Sequence, residues 1–284
     1  MMFVETLRAT GFTGDIVLAT ASYDLLAENV LEYLKSQPNL VVYIEELSCY
    51  ESDGITPSKR IMKRGSLDIF QMCQLHNVYG VVDDDGSTIP YKDQRIGRVV
   101  ATLRYEWYWI WARQYNHNSW IMLLDARDSF FQTNPFEGLP RNQNGLLYFF
   151  GENAEATRLG ISRKNRNWLL RSYGEATMQA MAEKPTICSG STMGEAKAIV
   201  SYLQAMVNEW DETDIKMTGA DQGFHNYLYY RYVNNILVYA SSITIVSVLF
   251  DLCFVKLATR RRIEIVCEIK FLFLFFFILC SCFS

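Results

Sequence analysis

Several familiar signatures are missing from this sequence of 284 residues, and each absence removes a class. There is no excess of positive charge, with 27 Lys+Arg against 31 Asp+Glu and a formal net of −4. A nucleic-acid binder is therefore not expected, nor does any long acidic run suggest a solvating tail. Seven cysteines are too few for a disulfide scaffold at this length. None of Cys49, Cys73, Cys188, Cys253, Cys267, Cys280 and Cys282 forms a CxxC pair, so a structural zinc site is not expected. The opening residues MMFVETLRATGFTGD lack a long apolar run, so neither a signal peptide nor an N-terminal anchor is predicted. No repeat of fixed period is present. What the chain does have is apolar mass: 50% hydrophobic and 14% aromatic residues, enough to bury a sizeable core.

Along the first 235 residues the pattern alternates between strands and helices. Asp15 to Thr20 is a short apolar run behind Gly14 and predicts a buried strand. Ser22 or Asp24 can cap a helix over Leu25 to Ser36, which Pro38-Asn39 ends. Leu40 to Ile44 is a second strand, and this β-α-β opening predicts an α/β fold with a mostly parallel twisted sheet and helices on both faces. Residues 45–65 read as loop, and Val78 to Val82 as a further apolar stretch. Arg98 to Tyr115 predicts a helix whose aromatics pack in the core. Ile121 to Leu124 and Gly145 to Phe150 predict strands; Arg163 to Met181, Ile199 to Trp210 and a segment from near Asp221 predict helices. The strands at 15–20, 40–44 and 121–124 are expected to be neighbours, with their C-terminal ends on one edge, where α/β sheets bind ligands.

Three short segments carry chemistry. IMLLDARDSFFQTNPF (121–136) sets Asp125 and Asp128 just beyond the C-terminal end of a strand, where carboxylates suit a hard divalent cation shared with phosphate oxygens. Ile187 to Met193 reads as a small-residue loop that lets backbone approach a ligand. Thr218 to Asn226 brings an acid and an amide, Asp221 and Gln222, to a helix start, where Asp is also a common cap.

The order of these segments resembles nucleotide-sugar glycosyltransferases of the GT-A fold, over about residues 13 to 230. Asp125-Ala126-Arg127-Asp128 stands where that family has its acidic DxD motif, Cys188-Ser189-Gly190 is similar to its N-S-G loop, and Asp221-Gln222-Gly223 through Asn226 is similar to its D-Q…N helix start. DARDSFFQTNPF resembles the D-S-R-D…F-Q-x-D-P-F string of plant and algal members. The resemblance implies a transferase moving a hexose or pentose from a nucleotide-diphospho-sugar donor to a glycan or glycoprotein acceptor. It implies that Asp125 and Asp128 hold Mn²⁺ or Mg²⁺ on the donor diphosphate. Thr20 at the end of the first strand would line the nucleotide pocket, Ser189 and Gly190 would face the donor sugar, and Asp221 and Gln222 would hold sugar hydroxyls or the acceptor.

Three departures from that pattern stand out. Arg127 replaces the second acid of a literal DxD, so either Asp128 takes the metal role or Arg127 offsets the diphosphate charge. Cys188 replaces Asn. The late His ligand common in the family is replaced by apolar sequence; His225 could compensate, although its place one turn into a helix suits packing or surface. Asp83-Asp84-Asp85 offers the literal acidic spacing but is followed by Gly86-Ser87-Thr88 and Pro90, which reads as an exposed turn.

Composition changes near residue 235 and sets off an apolar tail over 236–284; the resemblance implies that 1–235 is the glycosyltransferase-like domain. Ile236 to Ala258 is long enough to cross a hydrocarbon core, which takes ~20 residues. Arg260 to Arg262 would then stay cytoplasmic, leaving the catalytic part on the lumenal side of a Golgi or other secretory membrane. Asp251 in mid-span costs about 2.5–3.5 kcal/mol. Alternatively, Asn235 to Val248 supplies strands of the domain, or roughly 250–284 is read-through of noncoding sequence. Beside the enzyme reading stand a non-catalytic GT-A-like binding module and a membrane-tethered interaction protein.

Overall fold

The computed structural model of the chain describes residues 2–20, 26–44, 47–51, 56–57, 72–75, 78–82, 88–91, 95, 97–125, 129–140, 145–152, 157–213, 215, 217, 219–234, 244–248 and 275–280. A short helix, α1 (Met2–Ala9), leads into β1 (Ile16–Thr20), α2 (Glu28–Ser36) and β2 (Leu40–Ile44). β1 and β2 pair in parallel with Ile16 opposite Leu40, so the predicted β-α-β opening is present. Asn39 makes the turn with φ 50°, a left-handed conformation that Asn tolerates better than most residues. Helix α2 starts later than predicted. Its N-cap is Ala27 rather than Ser22 or Asp24, and Ala27 makes no side-chain cap. Glu28 in the first turn supplies the negative charge that suits that end of a helix.

Four short strands follow: β3 (Leu47–Tyr50), β4 (Met72–Leu75), β5 (Val78–Val82) and β6 (Thr88–Tyr91). β3 falls in the segment that reads as loop from sequence; its identity as a strand comes from its partner β4, 28 residues away at the register pair Leu47–Leu75 and too distant for local pattern to reveal. Asp83, Asp84 and Asp85 lie outside the described residues. The two-residue strand β7 (Arg98–Val99) then runs into α3 (Val100–Ala112). As predicted, the aromatics of α3 are core: Tyr105, Trp107, Tyr108 and Trp111 are buried.

The remaining elements are β8 (Trp120–Leu124), β9 (Leu146–Gly151), α4 (Arg163–Met181), β10 (Ile187–Glu195), α5 (Ala196–Thr213), α6 (Ala220–Asn234), β11 (Thr244–Val248) and β12 (Phe275–Cys280). Seven strands form one sheet in the order β11-β9-β10-β8-β12-β1-β2. The fold is mixed α/β. The sheet is not mostly parallel, because only β1·β2 and β9·β11 pair in parallel and the other four ladders are antiparallel. The cause is specific. β10 and β12 run opposite to the other five strands, and each is inserted between two of them. β10 is the segment whose Cys-Ser-Gly-Ser-Thr composition reads as loop.

β12 also separates β1 from β8, so those two strands are not the immediate neighbours predicted. Their C-terminal ends nevertheless share one edge, since Leu18 and Leu124 both lie opposite Phe276. Strand alternation sends side chains to two faces. Val17, Ala19, Ile121, Leu123, Leu147 and Phe149 pack beneath α3, α4, α5 and α6. Ile16, Leu18, Trp120, Met122, Leu124 and Phe150 pack beneath α1 and α2. Helices therefore cover both faces, as predicted.

Part of the DARDSFFQTNPF string serves this packing. Phe136 stacks on Phe12 with ring centroids 5.3 Å apart, the Phe131 amide donates to Thr6 Oγ1 at 3.1 Å, and Asn134 Oδ1 accepts from the Phe136 amide. The segment is thus a turn clasped against α1. In the tail, Thr244–Val248 and Phe275–Cys280 are strands of the sheet, while the rest of 236–258 lies outside the described residues. Among the described residues no helix is long and apolar enough to cross a membrane.

The antiparallel insertion of β10 depends on close backbone contact. A Cβ at Gly194 would lie 2.5 Å from the Leu146 carbonyl oxygen of β9. Gly194→Ala is expected to lower unfolding stability by about 1–3 kcal/mol, because backbone rather than a flexible side chain must move. Urea titration followed by circular dichroism measures it, and an unchanged midpoint would contradict this strand packing.

Candidate functional site

The candidate site lies at the C-terminal edge of the sheet, where β8 ends and β10 begins. Between Ile187, opposite Gly151, and Thr192, opposite Phe149, the register of β10 against β9 shifts. Six residues of β10 thus span three of β9, and Cys188 to Ser191 bulge away from β9. Bulges of this kind re-aim side chains and backbone at strand ends. On its other side β10 stays in register with β8, Ser191 opposite Leu124, and the next step sets Gly190 beside Asp125, whose amide donates to the Gly190 carbonyl at 2.7 Å. A Cβ at Gly190 would sit 3.0 Å from Asp125 Oδ2, so glycine keeps that oxygen uncovered.

Helix α6 holds the bulge. Gln222 Oε1 accepts from the Ser189 amide at 2.8 Å, and Gln222 Nε2 donates to the Ile187 carbonyl at 2.6 Å. One turn on, Asn226 Oδ1 accepts from the Ile187 amide at 2.8 Å and its Nδ2 donates to the Ile187 carbonyl at 2.9 Å. Two side-chain amides therefore replace ladder bonds that the bulge forfeits, as buried backbone groups require. Tyr105 adds a third contact, its hydroxyl donating to the Ser189 carbonyl at 3.4 Å.

Arg104 occupies the centre. Its Nη1 donates to Asp125 Oδ1 and its Nη2 donates to Asp221 Oδ2 at 2.8 Å. The side chains of Arg104 and Asp221 are 9% and 7% exposed, whereas that of Asp125 is 55% exposed. The triad thus runs from the core outward and opens at Asp125. One cation serves two carboxylates, leaving a net charge of one minus. Burial alone would lower the Arg104 pKa, but Asp125, Tyr105 and Asp221 outweigh it and push it above its ordinary value. Asp221 is the under-compensated end. Burial raises its pKa, Arg104 offsets this in part, and repulsion from Asp125 adds to the rise. Chemically, the exposed end of the group is the Asp125 carboxylate, an acceptor for hydroxyl donors or a cation, with Arg104 and Asp221 buried behind it.

Behind the triad lies a buried polar layer. Tyr202 Oη meets His225 Nδ1 at 2.6 Å and also bonds Thr192 and Tyr105. His225 is fully buried and packs against Phe149 and Tyr202. This is the packing role expected for a residue one turn into the helix. Burial, helped by the charge on Arg104, pulls its pKa down to about 3, so the ring is neutral at physiological pH. Cys188 has its thiol pKa raised by burial and faces the Gly190 backbone and Ser191. It is therefore a protonated thiol rather than a nucleophile.

Of the residues singled out from sequence, Asp125, Ser189, Gly190, Asp221 and Gln222 come together around Arg104. Thr20 ends β1 on the same edge, although its side chain lies outside the described residues; Arg127 and Asp128 lie outside them altogether. Arg104 was not legible as a site residue. A signal existed, because Arg104 and Glu106 interrupt an otherwise apolar helix, and buried charges demand partners. Sequence spacing could not say which partners. Comparison of the chain with protein families, with curated proteins and with solved structures finds no match.

Two predictions follow from the charge layout. Arg104→Met strands two acids and is expected to cost about 3–5 kcal/mol in urea unfolding. Asp221→Asn is expected to cost under about 2 kcal/mol, since Arg104 keeps Asp125 and the amide oxygen still accepts a bond. Equal losses would show that the guanidinium is not shared.

His225 has a folded pKa depressed from 6.5 to about 3. The unfolded chain takes up the proton first, so this contribution to stability is full above about pH 6.5 and falls as pH drops toward 3. His225→Gln is expected to be less stable than wild type at pH 7, with the gap narrowing by about 2–3 kcal/mol by pH 4.5. A gap independent of pH would mean that the native imidazole accepts the proton.

Proposed function

We propose that the protein is a GT-A-fold glycosyltransferase that moves a sugar from a nucleotide-diphospho-sugar to a glycan or glycoprotein acceptor. The observation that supports this reading is the meeting of three separate motifs, at Asp125, Ser189–Gly190 and Asp221–Gln222, around one guanidinium at a sheet edge. In this reading the carboxylates of Asp125 and Asp221 accept hydrogen bonds from donor-sugar hydroxyls, and Arg104 orients both acids. Gln222 acts indirectly, because its Oε1 and Nε2 both bond backbone of the bulge. The nucleoside would lie toward the end of β1, near Thr20.

A divalent cation fits one part of this arrangement. Asp125 Oδ1 is taken by Arg104, whereas Oδ2 lies beside Gly190, where a Cβ would sit only 3.0 Å away, and the side chain is 55% exposed. Asp125 and Asp128 would hold Mn²⁺ or Mg²⁺, which when bound neutralises charge growing on the leaving diphosphate. Arg127 would add positive charge beside that phosphate. A place on a membrane of the Golgi or secretory pathway rests on the apolar composition of the tail alone, since Thr244–Val248 and Phe275–Cys280 within it are strands of the sheet. A second reading, a non-catalytic module that binds nucleotide or glycan, is favoured by Arg104 already occupying one oxygen of Asp125.

Hydrolysis of a panel of nucleotide sugars by the purified full chain, with and without Mn²⁺, separates the two. Asp128→Ala is expected to reduce metal-dependent donor turnover by orders of magnitude, since a lost metal contact to a leaving phosphate costs several kcal/mol. Asp84→Ala is expected to leave turnover unchanged. Binding of nucleotide without turnover in wild type would favour the module, and equal turnover by wild type and Asp128→Ala would make the acidic pair structural.

A further inference from the structure

The foot of helix α3 carries a feature that the sugar-transfer reading does not use. Cys49 of β3 lies directly opposite Cys73 of β4, with Cα atoms 4.0 Å apart, and the two sulfurs are bonded. Cys73 is at the same time the cross-strand neighbour of Arg98 on β7. Arg98 is buried, and its Nη1 contacts Glu106 Oε1 of α3 at 2.7 Å and lies 3.7 Å from Asp211 Oδ1 of α5. Arg95 reaches the same two acids at 2.7 and 2.8 Å. Gln74 of β4 ties in the Arg95 carbonyl through its Nε2 and accepts from the Tyr50 hydroxyl at 3.0 Å. α3 begins at Val100, directly after β7, and carries Arg104 four residues on.

The small sheet β3-β4-β7 is therefore the base on which the Arg104 helix stands. Its strands have four, four and two residues. Strands so short give little cooperative pairing by themselves. A covalent link across the outer pair restricts the unfolded chain over a separation of 24 residues. We infer that Cys49 and Cys73 form a disulfide made in an oxidising compartment, and that this bond is the covalent footing of α3, so that its reduction loosens the helix presenting Arg104.

The chemistry sets the compartment. Two cysteine thiols give up two protons and two electrons to form the S–S bond. The electron acceptor is a second disulfide, that of oxidised glutathione or of an oxidoreductase, which is released as two thiols. The cytosolic thiol pool runs this exchange in the opposite direction, so a persistent Cys49–Cys73 bond places folding in a secretory or extracellular environment. Neither the pairing nor this exchange involves a sugar donor, so the inference stands or falls separately from the transferase reading.

Lysis of cells expressing the full chain directly into N-ethylmaleimide, followed by reduction, iodoacetamide and peptide mass spectrometry, tests the bond. With denaturant in the lysis buffer to expose buried thiols, Cys49 and Cys73 are expected to carry only the second label and Cys188 only the first. Direct labelling of Cys49 and Cys73 by N-ethylmaleimide, or linkage of either to another cysteine, overturns the inference. Hydrogen exchange on the purified chain tests the footing. Treatment with a phosphine reductant is expected to speed exchange of the α3 amides from Leu103 to Tyr105 at least tenfold, with the β9 amides unchanged. Unchanged α3 exchange after verified reduction overturns the coupling. The Cys49→Ser/Cys73→Ser chain is expected to show a folded-to-unfolded ratio lower by about a hundredfold. If that variant does not fold, the reduced wild type decides.

Discussion

One shared cation organises the edge of the sheet where β8 ends. Arg104 spends its two terminal nitrogens on two different acids, Asp125 at the end of β8 and Asp221 in the first turn of α6. These residues are far apart in sequence and come from three elements. A buried guanidinium cannot be left unpaired without a cost of several kcal/mol, so the positions of β8 and α6 relative to α3 are tied to one another. Because one positive charge faces two negative ones, the group is never neutral while all three are ionised. The excess sits at the edge, where Asp125 meets solvent.

The bulge in β10 complements that constraint. Toward β8 the strand keeps its register, and that register brings Gly190 to Asp125. Toward β9 the break in register leaves backbone groups in need of partners. Gln222 and Asn226, one turn apart on α6, supply them. The same helix turn that presents Asp221 to Arg104 therefore clamps the bulge. Acid and amide are adjacent because both jobs must be done from one helix end. The buried pair Tyr202–His225 fills the space behind, neutral and largely inert toward protons at ordinary pH.

Stability and function meet again at the base of α3. Its outer face is aromatic and anchored in the core, whereas its first turn rests on a three-stranded sheet held by ion pairs and one cross-strand disulfide. The Arg95–Arg98–Glu106–Asp211 cluster joins that sheet to α5, so displacement at the foot would reach the triad through a rigid helix rather than through loops.

Local pattern in the sequence determined much of the element list. The apolar runs at 16–20, 40–44 and 120–124, the helical spacing through α4 and α5, and the turn at Pro38-Asn39 are short-range signals, decided by side-chain periodicity and backbone preference. Asp125, Ser189, Gly190, Asp221 and Gln222 were singled out from sequence by their types and order, and the structure brings them together at one edge. The direction of β10, the pairing of Cys49 with Cys73 and the insertion of β12 were not legible, since strand partners are chosen across long separations by which edges and faces remain to be covered. Nor did the sequence disclose Arg104 as the centre of the site. An arginine in an aromatic helix announces only that it needs partners; three-dimensional packing decided that two carboxylates would share it.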